Sequence, residues 1–197
     1  WTRTVNQGDV EKAFKEAEAV VDTTLVFARL TGVRLESRGI VADWNKAENK
    51  MTIYHNGQAP HMMQHIIAKH LNLNEGLVRI ISRDVGGSFG IKVHVYPDEM
   101  AVTAISKKLG RPVKFIADRL ESFTTDIHAR CHKISGKLGV DKNGKILAME
   151  IDDLSGIGPF SMYPRTSAIE TNQVLNLSGA PYVIPNYKAV GLSLIHI

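Results

Sequence analysis

The order of the predicted secondary structure indicates an α+β fold in which helices pack on mixed sheets. Helical and strand-like segments alternate along the 197 residues. The strand-like segments also come as neighbouring pairs joined by short polar turns, which is typical of hairpins. A doubly wound parallel sheet would instead place a helix after every strand. The paired strands therefore favour α+β, and the length allows one domain or two small ones.

The first third of the chain predicts one helix followed by three strands. Asp9 is a typical N-cap, and apolar residues recur at helical spacing from Val10 onward. β-branched residues and an alternating pattern then predict a strand over residues 21–33. Residues 39–44 and 50–55 predict two further strands, which a polar turn connects.

The middle of the chain predicts two helices and two short strands. Residues 60–71 predict a helix because a proline opens them and an apolar stripe runs along them. A buried strand over residues 77–82 leads into a glycine-rich loop. Residues 97–109 predict the next helix, which Gly110 closes, and residues 112–117 predict a strand.

The last third predicts a hairpin and a helix. Residues 132–140 and 146–154 have strand-like patterns on either side of an Asp-Lys-Asn-Gly turn. A polar stretch with glycines follows, and residues 166–175 then predict a helix. These elements complete the α+β pattern.

Charge and composition exclude several classes of function. The net charge is +4, but acidic residues interleave with the basic ones, which indicates a mixed-charge surface and not a nucleic-acid site. No apolar run approaches the ~20 residues of a membrane-spanning helix. The single cysteine, Cys131, allows no disulfide within the chain and no cysteine cluster that could hold zinc or an iron–sulfur centre. We expect a half-buried thiol, with a nucleophile beside His132 as the alternative, and a cytoplasmic location.

Both ends of the sequence are expected to be artificial. The chain opens on Trp1 without a starting methionine, which predicts a clipped beginning. Residues 192–197 read Leu-Ser-Leu-Ile-His-Ile, the translation of a transposon-end adapter that is used to prepare sequencing libraries. We therefore expect residues 1–191 to be the truncated N-terminal part of a larger domain, followed by an adapter-derived tail.

A glycine-rich loop over residues 86–90 is the most informative segment. It reads Gly-Gly-Ser-Phe-Gly and follows a buried strand. Glycines let a backbone approach a ligand closely, and successive N–H groups can bind an anionic oxygen. A phosphate loop needs a Gly-Lys-Ser/Thr ending, whereas this loop continues Gly90-Ile91-Lys92, and its glycine spacing does not match a dinucleotide fingerprint. A tight strand-to-helix connection remains the alternative to a ligand site.

Several motifs, in a consistent order, give the chain a resemblance to a known family. The segment from Val85 to Lys92 is similar to the cofactor loop of the xanthine dehydrogenase, aldehyde oxidoreductase and aerobic carbon monoxide dehydrogenase family, with Ser88 where many members have glycine. Ser37 and Gly57 also depart from the family pattern. The further matching segments are Gly8-Asp9-Val10, Leu35-Glu36-Ser37-Arg38-Gly39, Gly57-Gln58-Ala59-Pro60, Pro112-Val113-Lys114, Asp118-Arg119-Leu120-Glu121 and Asp141-Lys142-Asn143-Gly144.

The resemblance implies the first part of a molybdenum-cofactor-binding domain. The implied cofactor is molybdopterin with molybdenum, in the cytosine dinucleotide form. Gln58 would donate a hydrogen bond to an oxo ligand of the metal, although without the resemblance it would be a polar residue at a helix entry. No residue of the chain is implied as a metal ligand. The implied cofactor-binding residues of the loop are Gly86, Gly87, Ser88, Phe89 and Gly90.

The family reaction hydroxylates a carbon with oxygen from water. Electrons then pass through iron–sulfur clusters to FAD on partner subunits or domains, so a hetero-oligomer is implied for the intact enzyme. The glutamate that serves as general base is implied near the end of the complete subunit, outside this chain. On this interpretation the chain holds no catalytic residue, and we expect it to be inactive alone and to bind the cofactor weakly.

Two segments bear on the substrate. Val93 follows the loop lysine, where purine-oxidising members carry glutamate, and this argues against a purine. Residues 155–165 resemble aldehyde-type members, and Tyr163-Pro164-Arg165 is expected either to line a substrate funnel or to form a surface turn. An aldehyde or similar small substrate is therefore expected. The alternatives are an aerobic carbon monoxide dehydrogenase and a non-catalytic binding domain of the same fold.

Other polar residues are interpreted as structural. His61 and His65 lie one turn apart on a predicted helix, and solvent-facing side chains are favoured over a metal pair. Asp152 and Asp153 are adjacent in a strand, so they point to opposite faces and cannot act together. Several charged residues are expected to form ion pairs that brace loops, namely Glu36, Asp118, Arg119 and Glu121.

Overall fold

Two units divide the chain. The computed structural model describes residues 1–158, 166 and 168–194. The first unit contains Trp1–Leu30 and the described residues from Ala129 onward, and the second contains Thr31–His128. In chain order the strands and α-helices are β1 (Thr2–Gln7), α1 (Val10–Glu16), β2 (Ala19–Leu30), β3 (Gly39–Asn45), β4 (Lys50–His55), α2 (Pro60–Leu71), β5 (Val78–Ile81), α3 (Pro97–Leu109), β6 (Val113–Ile116), α4 (Arg119–Thr125), β7 (Ala129–Val140), β8 (Ile146–Gly156), α5 (Ala168–Leu177) and β9 (Asn186–Leu194).

A five-stranded mixed sheet forms the first unit, with the strand order β1-β9-β8-β7-β2. β8 and β9 are parallel, and the other neighbours are antiparallel. Two helices pack on this sheet. Val10 of α1 is buried with Ala148, and Leu175 of α5 is buried with Ile151 and Ala189. Removal of these side chains from water supplies hydrophobic stabilisation to the unit.

A four-stranded sheet with helices on one face forms the second unit, in the order β5-β4-β3-β6. Alternate residues of β3 are buried, so Ile40, Ala42 and Trp44 face the same side. The apolar stripe of α2, which includes Ile66 and Ile67, packs on that side together with α3. The core of this unit therefore lies between the sheet and its two helices.

The parallel pairing of β4 with β5 positions the predicted ligand-binding segments. Tyr54 of β4 lies opposite Ile81 of β5. Because the carboxyl ends of parallel strands lie at the same edge of a sheet, the segments that follow the two strands start side by side. The first segment carries Gln58, and the second carries the loop over residues 86–90. The topology thus brings both segments to one edge of the sheet.

The predicted α+β class is confirmed, with differences in the bounds of individual elements. α2 and α3 have the predicted ends. The strand predicted over residues 21–33 is β2, at Ala19–Leu30, and the helix predicted over residues 166–175 is α5, at Ala168–Leu177. β2 is exposed along its whole length, so burial does not mark where the strand begins or ends.

Three elements occur without a prediction: β1, α4 and β9. β1 is mostly exposed, which explains its weak strand pattern. β9 extends to Leu194, so the first residues of the expected tail pair with β1 and β8, while the origin of that tail stays a prediction. None of the helices in the described residues is long and apolar enough to cross a bilayer.

Candidate functional site

The loop over residues 86–90 has an unusual backbone. Gly87, Phe89 and Gly90 have φ values of +93°, +51° and +87°. Glycine adopts this left-handed region freely, but a phenylalanine is strained there. The Phe89 side chain is also 76% exposed, so no hydrophobic burial of the ring offsets the backbone strain. A large apolar side chain held outward by a strained loop is typical of a surface that contacts a ligand or partner.

A row of backbone donors in this loop is free. Gly86 N donates to Glu36 Oε2 at 2.8 Å, and Ile91 N donates to Ser88 O at 3.0 Å. Between these two bonds, the N–H groups of residues 87–90 find no acceptor in the part of the chain that the structure describes. Unpaired N–H groups in a left-handed loop can bind an anionic oxygen.

Gln58 contacts the loop through its amide oxygen. The Ser88 hydroxyl donates to Gln58 Oε1, and Lys92 N donates to the same hydroxyl at 3.0 Å. Gln58 N in turn donates to Lys92 O at 3.0 Å. The Nε2 group has no acceptor among the described residues, and the side chain is exposed. Ser88 therefore fixes the amide so that Nε2 is available as a donor.

Lys92 joins the loop to both neighbouring segments, a role that sequence analysis missed. Its side chain is 0% exposed, and Nζ lies 2.7 Å from Glu36 Oε2. The same carboxylate oxygen accepts the bond from Gly86 N, and Glu36 N donates back to Gly86 O at 3.1 Å. The predicted ion pair of Glu36 is confirmed, with Lys92 as its partner. The sequence signal for the burial of Lys92 is that two apolar residues, Ile91 and Val93, flank it.

The pair changes the pKa of both groups. Burial lowers the pKa of Lys92 because the ammonium loses hydration, and the bond to Glu36 offsets this only in part. Burial raises the pKa of Glu36, but hydrogen bonds from Lys92, Gly86 N and Asn56 outweigh that effect and lower it overall. Glu36 is therefore ionised at neutral pH and can accept from both donors.

A buried ionic cluster lies next to the loop. The side chains of Arg34 and Arg38 are each 1% exposed, and both pair with Asp126, at 2.6 Å for Arg38 Nε. Arg38 also forms two bonds of 2.7 Å to Asp98. A Cβ on Gly87 would lie 3.1 Å from Arg34 Cβ, so the loop backbone packs closely on this cluster. The loop therefore rests against charged side chains whose positions are fixed by their ion pairs.

The prediction that Asp118, Arg119 and Glu121 form ion pairs is wrong. Asp118 accepts from Glu121 N and Glu121 accepts from Asp118 N, which makes a capping box at the start of α4. Arg119 donates to the carbonyls of Arg34 and Leu35, at 2.8 and 2.6 Å. Asp118 and Glu121 cap the helix and do not form ion pairs, because the free N–H groups at a helix start need acceptors and an Asp-x-x-Glu segment supplies them.

The remaining candidates are two histidines of α2 and a segment outside the described part of the chain. His61 is exposed, and His65 Nδ1 lies 2.6 Å from Glu75 Oε1 at the surface. Within the described residues, no group of three or more His, Cys, Asp or Glu side chains is placed to hold a metal. The segment Tyr163-Pro164-Arg165, expected at a substrate funnel or a turn, lies outside the described residues.

A second buried polar cluster lies in the first unit. His132 Nδ1 is 2.8 Å from Asp153 Oδ1, and Nε2 is 3.6 Å from Glu170 Oε2. The bond to Asp153, and then that to Glu170, raise the pKa of His132 to about 9 against the lowering effect of burial. Asp152 is exposed on the other strand face, which confirms the predicted opposite orientation of the two aspartates. Cys131 is half-buried, as expected.

This cluster predicts that the chain loses stability as the pH rises above 6.5. The folded pKa of His132, about 9, lies above its ordinary value of 6.5. The stabilisation is therefore fully present below pH 6.5 and is lost as the pH rises through about 9. The free energy of unfolding in urea is expected to fall by on the order of 2 kcal/mol over this range. Asp153→Asn should flatten the profile, and an equally steep profile in that variant would contradict the assignment.

Comparisons with known proteins give matches along nearly the whole chain. The model of the molybdopterin cofactor-binding domain family matches residues 1–195. The nicotine 6-hydroxylase large subunit of Paenarthrobacter nicotinovorans is 33% identical over 163 residues, which are 83% of this chain and 20% of the relative. The carbon monoxide dehydrogenase large chain of Hydrogenophaga pseudoflava is 33% identical over 150 residues, 76% of this chain and 19% of the relative.

A solved structure agrees with these matches. The crystal structure of quinoline 2-oxidoreductase from Pseudomonas putida 86 has a TM-score of 0.93 at 26% identity, over 98% of this chain and 25% of that chain. The chain spans about a fifth of the length of the two curated relatives.

Proposed function

Because the chain belongs to the molybdopterin cofactor-binding domain family, we propose that it forms one wall of the cofactor site in the large subunit of a molybdenum hydroxylase. The observation that carries this proposal is the contact of Gln58 with the loop, in which Ser88 binds the amide oxygen and leaves Nε2 to donate. The free N–H groups of residues 87–90 belong to the same loop. All of these groups are donors, which suits an anionic ligand rich in oxygen.

The loop also has space for such a ligand. A Cβ built on Gly90 would meet nothing within 4 Å among the described residues. A Cβ on Gly86, in contrast, would lie 2.5 Å from Glu36 Cβ. Protein packing therefore requires a glycine at position 86 and does not require one at position 90. Open space beside unpaired donors fits the molybdopterin cofactor.

The cofactor, when bound, supplies a molybdenum centre that accepts electrons from the substrate as water-derived oxygen is added to carbon. Gln58 Nε2 would donate a hydrogen bond toward the metal centre without adding charge to it. The exposed Phe89 ring would cover one side of the bound cofactor and exclude water from it. The residues that would hold the pterin through their backbone are Gly86, Gly87, Ser88 and Gly90.

For the complete subunit, we propose oxidation of an aldehyde or a similar small substrate. The cofactor would be the cytosine dinucleotide form, and electrons would leave through iron–sulfur and FAD-containing partners in a hetero-oligomer. Relatives described as a large subunit and a large chain support such an assembly. A nitrogen heterocycle is the second candidate substrate, because two relatives are named for nicotine and quinoline. Carbon monoxide is the third.

Gly90→Ala tests whether the open space belongs to the cofactor. In the complete large subunit we expect the molybdenum content of the purified protein to fall by roughly 5-fold or more, since a methyl group in an occupied contact costs about 1–3 kcal/mol. The measurement is metal analysis by plasma mass spectrometry, with circular dichroism as the test of folding.

Gly144→Ala is the matched control. Gly144 lies in the turn between β7 and β8, has a φ of +80°, close to the +87° of Gly90, and would also place a Cβ in open space. The two variants therefore add a similar backbone strain of roughly 1–2 kcal/mol. Equal metal content in both variants would rule out the assigned contact at Gly90.

A further inference from the structure

We propose that Glu36 and Lys92 form a positioning pair that holds Gln58 and the loop in their donor arrangement before any cofactor binds. The use of that arrangement rests on the proposed function, but the positioning itself is a property of the cofactor-free chain. Neither residue is placed in contact with the cofactor, so both act through Gln58, Ser88 and Gly86.

Lys92 is the point at which three segments meet. Its side chain reaches Glu36, its N–H donates to Ser88 Oγ, and its carbonyl accepts from Gln58 N. The two bonds to Ser88 Oγ, from Lys92 and toward Gln58, form a chain that ends at the Gln58 amide. A shift of Lys92 would therefore move both groups that hold Gln58.

Glu36 fixes the other end of the pair. Its carboxylate accepts from Lys92 and Gly86 together, and its Cβ leaves no room for a side chain at position 86. The segment that carries Glu36 is bound to the residue two places before Gln58, because Asn56 Nδ2 donates to Ser37 O at 2.7 Å. Lys92 and Glu36 each hold the loop, and each is thus also connected to the segment that carries Gln58.

Packing alone does not account for a lysine at position 92. A fully buried ammonium loses its hydration, and a methionine would fill a similar volume without that cost. Through space, Arg34 lowers the pKa of Lys92 and Asp126 raises it, but the residue that bonds directly to the ammonium is Glu36. The role of the Lys92 charge is therefore to bind Glu36. This bond determines where the loop lies.

Amide hydrogen exchange on the cofactor-free, ¹⁵N-labelled 197-residue chain tests the proposal. The reporters are Gln58 N–H and Ile91 N–H, whose bonds do not involve the Glu36 carboxylate or the Lys92 ammonium. In Glu36→Gln and in Lys92→Met we expect both amides to exchange roughly 10-fold faster or more, with amides of β3 and β4 unchanged. The side-chain Nε2 resonances of Gln58 should shift in both variants as the bond from Ser88 is lost.

A control and a double variant separate positioning from general stability. Glu150→Gln breaks a Lys–Glu pair of the same 2.7 Å length in the first unit and should leave the reporters unchanged. The double variant should exchange no faster than Glu36→Gln alone, because the bond is lost only once and the unpaired buried ammonium is then absent. Unchanged reporters in both single variants, additive effects in the double variant, or equal acceleration throughout β3 and β4 would overturn the proposal.

The result is independent of the outcome at Gly90. Faster exchange at the reporters, together with full molybdenum content in Gly90→Ala, would support the positioning pair and contradict the proposed function. Unchanged reporters, together with loss of molybdenum in Gly90→Ala, would overturn the positioning pair alone.

Discussion

In the complete large subunit, Gln58→Ala is expected to lower turnover by about 100- to 1000-fold, as does the loss of one preorganised donor from other active centres. The amide is held by Ser88 through its oxygen, so Nε2 needs no reorganisation to donate. The free energy of unfolding should change by less than ~1 kcal/mol, because the side chain is exposed and fills no part of the core. Turnover is measured by dye-linked substrate oxidation per molybdenum atom.

Gln64→Ala is the matched control for this experiment. Gln64 lies in α2, and its Nε2 donates to the carbonyls of Glu75 and Val78 at 3.0 and 2.8 Å. Its loss should therefore cost about 1 kcal/mol of stability and leave turnover per molybdenum unchanged. Unchanged turnover in Gln58→Ala at full molybdenum occupancy would show that the amide does not act on the metal centre.

The sequence predicted the bounds of those helices whose terminal residues are a proline at the start or a glycine after the end. α2 begins at Pro60 and α3 ends before Gly110, and both helices have the bounds that these residues predict. The pairing of β4 with β5 has no such local signal. It depends on α2 crossing from one strand to the next, and only this pairing brings Gln58 to the loop. Sequence could therefore nominate both segments but not derive their contact without the family resemblance.

The parts of the site that sequence analysis missed depend on partners far apart in the chain. Lys92 and Glu36 are 56 positions apart, and nothing near Lys92 identifies its carboxylate. Ser88 stands where many family members have glycine, and no neighbouring residue indicates that its hydroxyl orients Gln58, 30 positions away. The error at Asp118 has another origin, because the Asp-x-x-Glu capping signal is local and was present in the sequence.

Asp126→Ala is expected to lower the free energy of unfolding by about 3–5 kcal/mol, the usual cost of leaving a buried charge without its partner. Asp126 is 5% exposed and pairs with the guanidinium groups of both Arg34 and Arg38. Arg38 keeps Asp98 and Glu99 after the substitution. Among the described residues Arg34 keeps one neutral side-chain acceptor, Ser122 Oγ at 3.3 Å, so most of the cost arises at Arg34.

Arg34→Met separates this charge effect from a packing effect. It removes the guanidinium, fills part of the same space, and leaves Asp126 paired with Arg38. Because no buried charge loses its last ionic partner, Arg34→Met should be less destabilising than Asp126→Ala in urea denaturation of the 197-residue chain. The double variant should be more stable than Asp126→Ala alone, since the unpaired guanidinium is then absent. Equal destabilisation by both single variants, with additive effects in the double variant, would mean that the cluster contributes through packing and not through the pairing of buried charges.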